Sequence, residues 1–339
     1  MVKGWIAFIC AIVLTAAGAV PTQSAPDLRS YLDGLDWVVI GDLDNPGFPG
    51  YGPWGVLKGR GAIDYHYRLT RTEVTVAQWF EFVQAFAPYY EGTYGQSIGL
   101  TGSFIYIGGP LNDPDSYHMV EGTEDFPANQ SWRMAARYCN WLHNGKENTE
   151  EAFSQGAYDT STFTENEDGS YNDQATRSPG ARYWIPSLDE WIKGFYYDPG
   201  ANEGEGGWWW YPDSSDEELI AGLPWDGGQT NASLFWYIPD TPLEVLEVGA
   251  YPFTQSPWGL LDGSGGMREW TEEIGSGDPH RRLTKGSSFF SDGYLWPIED
   301  WIVESIPASA NSTAMEGFRL ASRVPAFPTV DSGPRDSDN

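Results

Sequence analysis

Three stretches of the chain place apolar residues at the three- and four-residue spacing of an amphipathic helix. Each begins at a residue typical of an N-cap, and the first and third add Gln or Glu three residues later, which completes a capping box. The predicted N-caps are Thr75, Ser131 and Ser187. The apolar faces are Val76, Trp79, Phe80 and Val83, then Ala135, Tyr138, Cys139 and Leu142, then Leu188, Trp191, Ile192 and Phe195. Gly145 and the Asp-Pro-Gly sequence at 198–200 predict where the second and third helices end.

Outside these helices the pattern predicts short strands joined by long loops. The better strand candidates, in which β-branched and aromatic residues cluster, are 37–40, 65–69, 245–248 and 318–321. The 40 glycines and 24 prolines favour a turn-rich architecture over a helical bundle. The polar residues 326–339 predict a disordered tail.

The N-terminal residues have the pattern of a secretion signal. An apolar run at 5–20 follows Lys3 and contains the small residues 17–19. That pattern predicts a signal peptide, 1–19, that is cleaved after Ala19. A membrane anchor is the alternative, but the apolar core is shorter than the ~20 residues of a spanning helix. We therefore expect a secreted or periplasmic protein with no transmembrane segment in the mature chain.

The net charge narrows the classes of binding partner, and the cysteine count bears on disulfides and thiol chemistry. The 48 acidic and 19 basic residues give a net charge of −29. Such a surface repels nucleic-acid phosphates, which excludes nucleic-acid binding, and it attracts divalent cations. Signal cleavage leaves Cys139 as the remaining cysteine, so no intramolecular disulfide can form. Cys139 lies on the apolar face of its predicted helix, and we expect an inert core thiol.

The segment 259–270 concentrates glycines and two carboxylates in one short loop. Glycine lets a backbone turn tightly and direct its carbonyls toward one point. Carboxylates and carbonyls are the hard oxygen ligands that calcium selects. A glycine-rich turn with two solvated acids, Asp262 and Glu269, is the alternative. The residues alone leave both interpretations open.

Six segments, taken in order, carry a resemblance to a known family. They read TEVTVAQW at 72–79, PANQSW running into ARYCNWL within 127–142, RYWIPSLDEW at 182–191, GLLDGSGGMREWT at 259–271, KGSSF at 285–289 and GFRLA at 317–321. The ordered set resembles the formylglycine-generating enzyme family, also called sulfatase-modifying factor, over a domain at 33–325. YYDP at 196–199, followed by GGWWWYP at 206–212, resembles its branch of secreted bacterial members. The resemblance implies a loop-rich α+β domain with a C-type-lectin-like fold and little regular secondary structure.

The resemblance also implies two calcium ions. One site would use the side chains of Asp262 and Glu269 with the backbone carbonyls of Gly265 and Met267. The other would use the side chains of Asn231 and Asp240 with the backbone carbonyls of Ala232 and Pro242. A polar loop without metal is the alternative for the second site.

Members of the family that oxidise a substrate cysteine to formylglycine use two cysteine thiolates, the soft ligands that bind copper(I). Aligned from 285–289, those positions fall on Ser291 and Trp296, and neither residue supplies a thiolate. We therefore expect no copper and no formylglycine-generating activity. The candidate cleft residues are Ser288, Ser291 and Trp296. An enzyme of altered chemistry in the same cleft is the alternative, although a serine nucleophile needs a positioned base.

A cluster of aromatic residues at 208–211, between glycines and an acidic stretch, could stack on a sugar ring or anchor a peptide. Core packing is the alternative for these side chains. Taken together, the sequence predicts an exported, calcium-stabilised member of the family. We expect it to act as a binding or scaffold domain for an unidentified protein or glycan.

Overall fold

The computed structural model describes residues 34–50, 57–168, 170–234, 245–275, 281–290, 306–309, 311 and 315–324. The predicted signal peptide, 1–19, and the predicted tail, 326–339, lie outside the described residues. Gly34–Val324 groups as one unit. None of the helices in the described ranges is both long enough and apolar enough to cross a bilayer.

The three helices predicted from apolar spacing are confirmed. The helices are α1 Val76–Phe86, α2 Ile98–Thr101, α3 Trp132–His143, α4 Glu150–Ser154, α5 Leu188–Tyr196 and α6 Ala201–Gly204. Both predicted capping boxes form, because Thr75 and Ser187 each accept a hydrogen bond from the backbone three residues later. The third helix ends before the predicted Asp-Pro-Gly stop, because the residues after Tyr196 enter a strand.

The strands form two four-stranded sheets and two hairpins within the described part of the chain. They are β1 Trp37–Ile40, β2 Tyr67–Thr70, β3 Ile105–Ile107, β4 Tyr117–Met119, β5 Tyr183–Trp184, β6 Tyr197–Asp198, β7 Gly207–Trp208, β8 Arg268–Ile274, β9 Arg281–Lys285, β10 Ile306–Ser309, β11 Glu316–Gly317 and β12 Ala321–Arg323. The first sheet has the order β1-β2-β12-β5 and is antiparallel throughout. The second has the order β10-β9-β8-β11, in which β11 runs parallel to β8. This mixture of helices, strands and long loops is an α+β fold.

Two of the strand predictions need correction. Residues 245–248 are not a strand but an irregular segment that leads into a turn. Residues 318–320 separate β11 from β12 instead of forming one strand, and within them the Arg319 side chain donates to several backbone carbonyls. The candidate at 65–69 is a strand displaced toward its C-terminal end, at Tyr67–Thr70. The candidate at 37–40 is confirmed.

Buried tryptophans join the helices to the loops. The Trp79 ring lies 4.8 Å from Phe82 and 5.5 Å from Tyr138, centroid to centroid, which packs α1 against α3. Trp132 Nε1 donates to the Thr271 carbonyl at 3.2 Å, and Trp270 Nε1 donates to the Gln130 carbonyl at 2.9 Å. These reciprocal bonds fix the start of α3 against β8, the strand that follows the glycine-rich loop.

Candidate functional site

The glycine-rich loop that leads into β8 is held from both sides by arginine side chains. Arg71 Nη1 donates to the Gly259 carbonyl at 2.7 Å, and Arg319 Nη2 donates to the Leu261 carbonyl at 2.9 Å. Asp262 adopts a positive φ of 58°, and Gly266 one of 59°. The loop is therefore a shaped and tethered segment at the centre of the fold.

Glu269, a predicted calcium ligand, lies in a buried ion pair with Arg319. Arg319 Nε donates to Glu269 Oε2 at 2.6 Å and Arg319 Nη2 donates to Oε1 at 2.6 Å. Trp191 Nε1 adds a third bond to Oε2 at 2.8 Å. Both charged side chains are at most 1% exposed. Both Glu269 oxygens accept hydrogen bonds from the protein's own donors, and the role of Glu269 as a calcium ligand stays a prediction.

Asp262 lies instead beside a carboxylate that sequence reasoning did not assign to the site, that of Glu73. Asp262 Oδ2 accepts from Gly249 N at 2.7 Å, and Glu73 Oε1 accepts from Met267 N at 2.7 Å. Burial raises the pKa of Asp262 to about 6. Burial, followed by the nearby Asp262 and Glu269 carboxylates, raises the pKa of Glu73 well above its usual value. Among the described residues, neither carboxylate forms a salt bridge.

The two carboxylates line a small, partly open cavity of about 10 Å³, roughly the minimum that a single water-sized occupant requires. Asn231 and Ser264 contribute amide and hydroxyl groups to the same lining. A Cβ added to Gly266 would lie 2.7 Å from Glu73 Oε2, so glycine is needed for this close approach. Across the described ranges, no three His, Cys, Asp or Glu side chains are arranged to hold a metal ion. The cavity lining therefore combines the Glu73 and Asp262 carboxylates with neutral oxygens, and the exposed Glu247 borders it as well.

The predicted second calcium site is described only in part. Asn231 and Ala232 are buried, whereas Asp240 and Pro242 lie outside the described residues. Asn231 Oδ1 accepts from Gly266 N at 2.8 Å, so this side chain reaches the loop of the predicted first site. The fold thus brings Asn231 and Asp262, which sequence reasoning assigned to different ions, to one cavity.

The described part of the predicted cleft lies directly against this loop. Ser288 is buried, and its carbonyl accepts from Ser233 N at 3.2 Å. Ser287 Oγ accepts from Gly265 N at 3.3 Å. Ser291 and Trp296 lie outside the described residues, so the lining that they would provide stays a prediction.

Cys139 is fully buried in α3, as its apolar position suggested, and burial raises the pKa of its thiol well above the usual value. The thiol is therefore protonated at neutral pH, and it is neither a nucleophile nor a soft metal ligand there.

The aromatic cluster at 208–211 is largely part of the interior. Trp208 and Trp210 are partly buried against the main core, and Tyr211 is buried. The Trp208 ring lies 5.1 Å from that of Tyr197 across the β6–β7 hairpin. This arrangement favours the packing interpretation of the cluster.

A second buried acid, Glu272 on β8, was also missed from the sequence. Tyr158 Oη donates to Glu272 Oε1 at 2.8 Å, and Arg177 Nη1 donates to Oε2 at 3.0 Å. Arg177 also pairs with Glu190 of α5 through Nη2 at 2.9 Å. Burial raises the pKa of Glu272 to about 7. Its partners are 114 and 95 positions away in the chain, so no local pattern could have revealed the network.

Comparison with protein families gives one match. The sequence profile described as the sulfatase-modifying factor enzyme 1-like domain matches residues 62–324. The chain belongs to this family. The glycine-rich loop, Glu73, Cys139 and the described cleft residue Ser288 all lie within this sulfatase-modifying factor enzyme 1-like domain.

Solved structures provide further similarities to this sulfatase-modifying factor domain. CarF is 19% identical, covers 86% of this chain and 99% of its own length, and has a TM-score of 0.49. Variable protein 1 of Treponema denticola is 17% identical over 85% of this chain and 95% of its own, with a TM-score of 0.42. PvdO from Pseudomonas aeruginosa is 13% identical over 85% and 94%, with a TM-score of 0.46. Comparison with curated protein sequences gives no match.

Proposed function

We propose that this protein is an exported, calcium-stabilised binding domain of the sulfatase-modifying factor family that lacks formylglycine-generating activity. The observation that carries the proposal is the number and the burial of its cysteines. The chain has two cysteines, one of them within the predicted signal peptide, and the other, Cys139, is fully buried in the core. Copper(I) chemistry of the family's kind needs an accessible pair of thiolates, which this chain does not supply.

The absence of oxidase activity is tested directly. Purified protein is loaded with copper(I) and incubated with a sulfatase-motif peptide under oxygen, and the peptide is analysed by mass spectrometry. We expect no conversion of the substrate cysteine. Conversion above the level of copper alone would overturn the proposal.

Calcium stabilisation is supported by the cavity around Asp262 and Glu73. Glu73 is buried and Asp262 is half-buried, and neither forms a salt bridge among the described residues. Carboxylates in such surroundings are costly, and a divalent cation offsets that cost. The ligands we propose are the Asp262 and Glu73 carboxylates, with the Asn231 amide and the Ser264 hydroxyl as neutral oxygens. Gly265 and Met267 remain candidates through their carbonyls.

A chelator experiment tests the calcium proposal. A ligand present at 1,000 times its Kd adds ~4 kcal/mol to the free energy of unfolding, so excess calcium should raise the melting temperature above that measured in chelator. The variant Asp262→Asn should lose most of this difference. Asp226→Asn is the matched control, because it removes the same charge from an exposed loop and should retain the calcium effect. Equal melts of the wild-type protein in calcium and in chelator would contradict the proposal.

A binding role is supported by two exposed aromatic side chains on neighbouring loops. Trp225 is 67% exposed and Phe253 is 98% exposed. Their loops are joined by hydrogen bonds, one from Tyr251 Oη to the Gly222 carbonyl at 2.8 Å. Exposed aromatic rings stack on sugars and anchor peptides. We expect Trp225→Ala to abolish a glycan-array or pull-down signal. Trp209→Ala, in the more buried cluster, serves as the comparison. A signal that survives Trp225→Ala would contradict this assignment.

Export is supported by the apolar N-terminal run and the small residues before Val20. N-terminal sequencing of the protein from the medium or periplasm should begin at Val20. A chain that retains its first residues in the cytoplasm would contradict export.

A further inference from the structure

An open cavity of about 630 Å³ lies beside α1, α3 and α4 and belongs neither to the calcium loop nor to the predicted cleft residues. Its volume falls within the range of small-molecule sites, ~300–1,000 Å³. The aromatic residues in its lining are Phe86, Tyr89, Tyr90, Phe153 and Phe163. Two arginines of α3, Arg133 and Arg137, face the same space.

The two arginines differ in how their charges are neutralised. Arg133 forms a bidentate ion pair with Asp173, with an Nη2 to Oδ1 distance of 2.7 Å. Among the described residues, Arg137 donates from Nη1 to Thr160 Oγ1 at 3.1 Å and from no other nitrogen. Its guanidinium carbon lies 5.6 Å from the Phe86 ring centroid. No carboxylate of the described residues forms an ion pair with Arg137. Its remaining donors are therefore available to a ligand.

In its remaining donors Arg137 differs from the buried Arg319 and Arg282. Arg319 pairs with Glu269, and Arg282 donates to three backbone carbonyls. Burial, with a smaller contribution from Arg133, lowers the pKa of Arg137 to about 10, so the guanidinium stays protonated at neutral pH. A protein with 48 acidic residues thus has, among its described residues, a partly buried cation without an ion pair that faces a cavity of about 630 Å³.

The lining selects the ligand by charge and shape. A planar guanidinium recognises a carboxylate through two parallel hydrogen bonds, and the surrounding rings favour a flat apolar body. Glu91, Glu150 and Glu165 also line the cavity and are exposed. Their charges are screened by solvent but still disfavour a dianion more than a monoanion.

We propose that this cavity binds an aromatic monocarboxylate, with its carboxylate on Arg137 and its ring against the Phe86 and Phe163 side chains. A free aromatic acid and the C-terminal carboxylate of a peptide ending in an aromatic residue share this chemistry. The proposal goes beyond the binding role assigned above, because it concerns a different surface and a defined class of ligand.

The test is calorimetric titration of the full mature chain at neutral pH and low salt. The probes are 3-phenylpropionate and indole-3-acetate, with 3-phenylpropanamide as the neutral analogue and phenyl phosphate as the dianion. A tripeptide ending in phenylalanine, with a free or an amidated C-terminus, separates the two sources of the carboxylate. We expect the acids to bind at least tenfold more tightly than the amide and the dianion.

Variants locate the site. Arg137→Gln should weaken binding of the acids at least tenfold. Arg137→Lys should give an intermediate loss, because lysine keeps the charge but lacks the planar pair of N–H donors. Arg323→Gln removes an exposed arginine outside the cavity and should leave binding unchanged. If Arg137→Gln does not fold, as judged by its thermal melt, Thr160→Val serves in its place and should weaken binding by disturbing the guanidinium. Failure of every acid to bind the wild-type chain, equal binding of acid and amide, or full binding by a folded Arg137 variant would overturn the proposal.

Discussion

The ion pair between Glu269 and Arg319 makes a decisive test, because Glu269 is a predicted calcium ligand and also the counter-charge of Arg319. The perturbation is Glu269→Gln, which keeps the shape of the side chain and removes its charge. The amide nitrogen would then face the donors of Arg319 or Trp191, and the Arg319 guanidinium would lose its buried counter-charge. Removing one partner of a buried pair costs ~3–5 kcal/mol.

Hydrogen bonds from Arg319 to backbone carbonyls place the expected loss of stability at the lower end of that range. Arg319 also donates to the carbonyls of Thr70, at 2.9 Å, and Leu261, at 2.9 Å, and these bonds survive the substitution. We therefore expect a loss of ~3 kcal/mol, a large share of the ~5–15 kcal/mol by which domains are normally stable. At ~2 °C per kcal/mol for a domain of this size, the melting temperature should fall by about 6 °C.

The assay combines urea unfolding, followed by tryptophan fluorescence, with a calcium titration of the melting temperature. Glu269→Gln should be destabilised in calcium and in chelator alike, and its calcium midpoint should stay within about twofold of the wild-type value. Glu81→Gln is the matched control, because Glu81 is exposed and pairs with Lys146 at 2.6 Å. Its loss should be ~1 kcal/mol or less. A Glu269→Gln protein that is fully stable in chelator but binds calcium at least tenfold more weakly would refute the reasoning and make Glu269 a calcium ligand.

Three further substitutions probe other parts of the fold. The pKa of Glu272 is raised from 4.5 to about 7, so the folded state holds its proton more tightly and the free energy of unfolding should fall as pH rises through this interval. The decrease has an upper limit of ~3 kcal/mol, and Glu272→Gln should flatten it in urea unfolding between pH 5 and 8; an unchanged slope would contradict the burial explanation. Gly266→Ala should destabilise the protein and weaken calcium binding, since its Cβ would meet Glu73 Oε2, whereas Gly122→Ala, with a similar positive φ and open space, should affect stability alone. Ser187→Ala removes the capping box of α5 and should cost ~1 kcal/mol in the same unfolding assay; a loss below experimental error would show that tertiary packing alone positions this helix.

The main helices were predictable because their signals are local. An N-cap hydroxyl and the side chain three residues later satisfy backbone groups within one turn, so Thr75 and Ser187 mark helix starts in any context. The 3.6-residue repeat then chooses the buried face, as at Trp79 and Cys139. The family and the α+β class followed from the order of such local segments.

The strands were less predictable because burial of polar residues hides their alternation. β8 carries Thr271 and Glu272 in its interior, and both are buried. Their polar groups are satisfied across long chain distances, by the Leu283 carbonyl for Thr271 and by Tyr158 for Glu272. A two-residue period of apolar positions therefore never appears in the sequence of this strand.

The sequence by itself determined the three main helices and the glycine-rich loop, because each depends on residues that are close together along the chain. Tertiary structure alone decided which carboxylates share a cavity. Glu73, Asn231 and Asp262 come from three distant segments, and Arg319 reaches 50 positions back to take Glu269. Electrostatic interactions depend on distance in space. The spacing of residues along the chain does not specify that distance for partners in distant segments, so only the tertiary structure shows which groups meet.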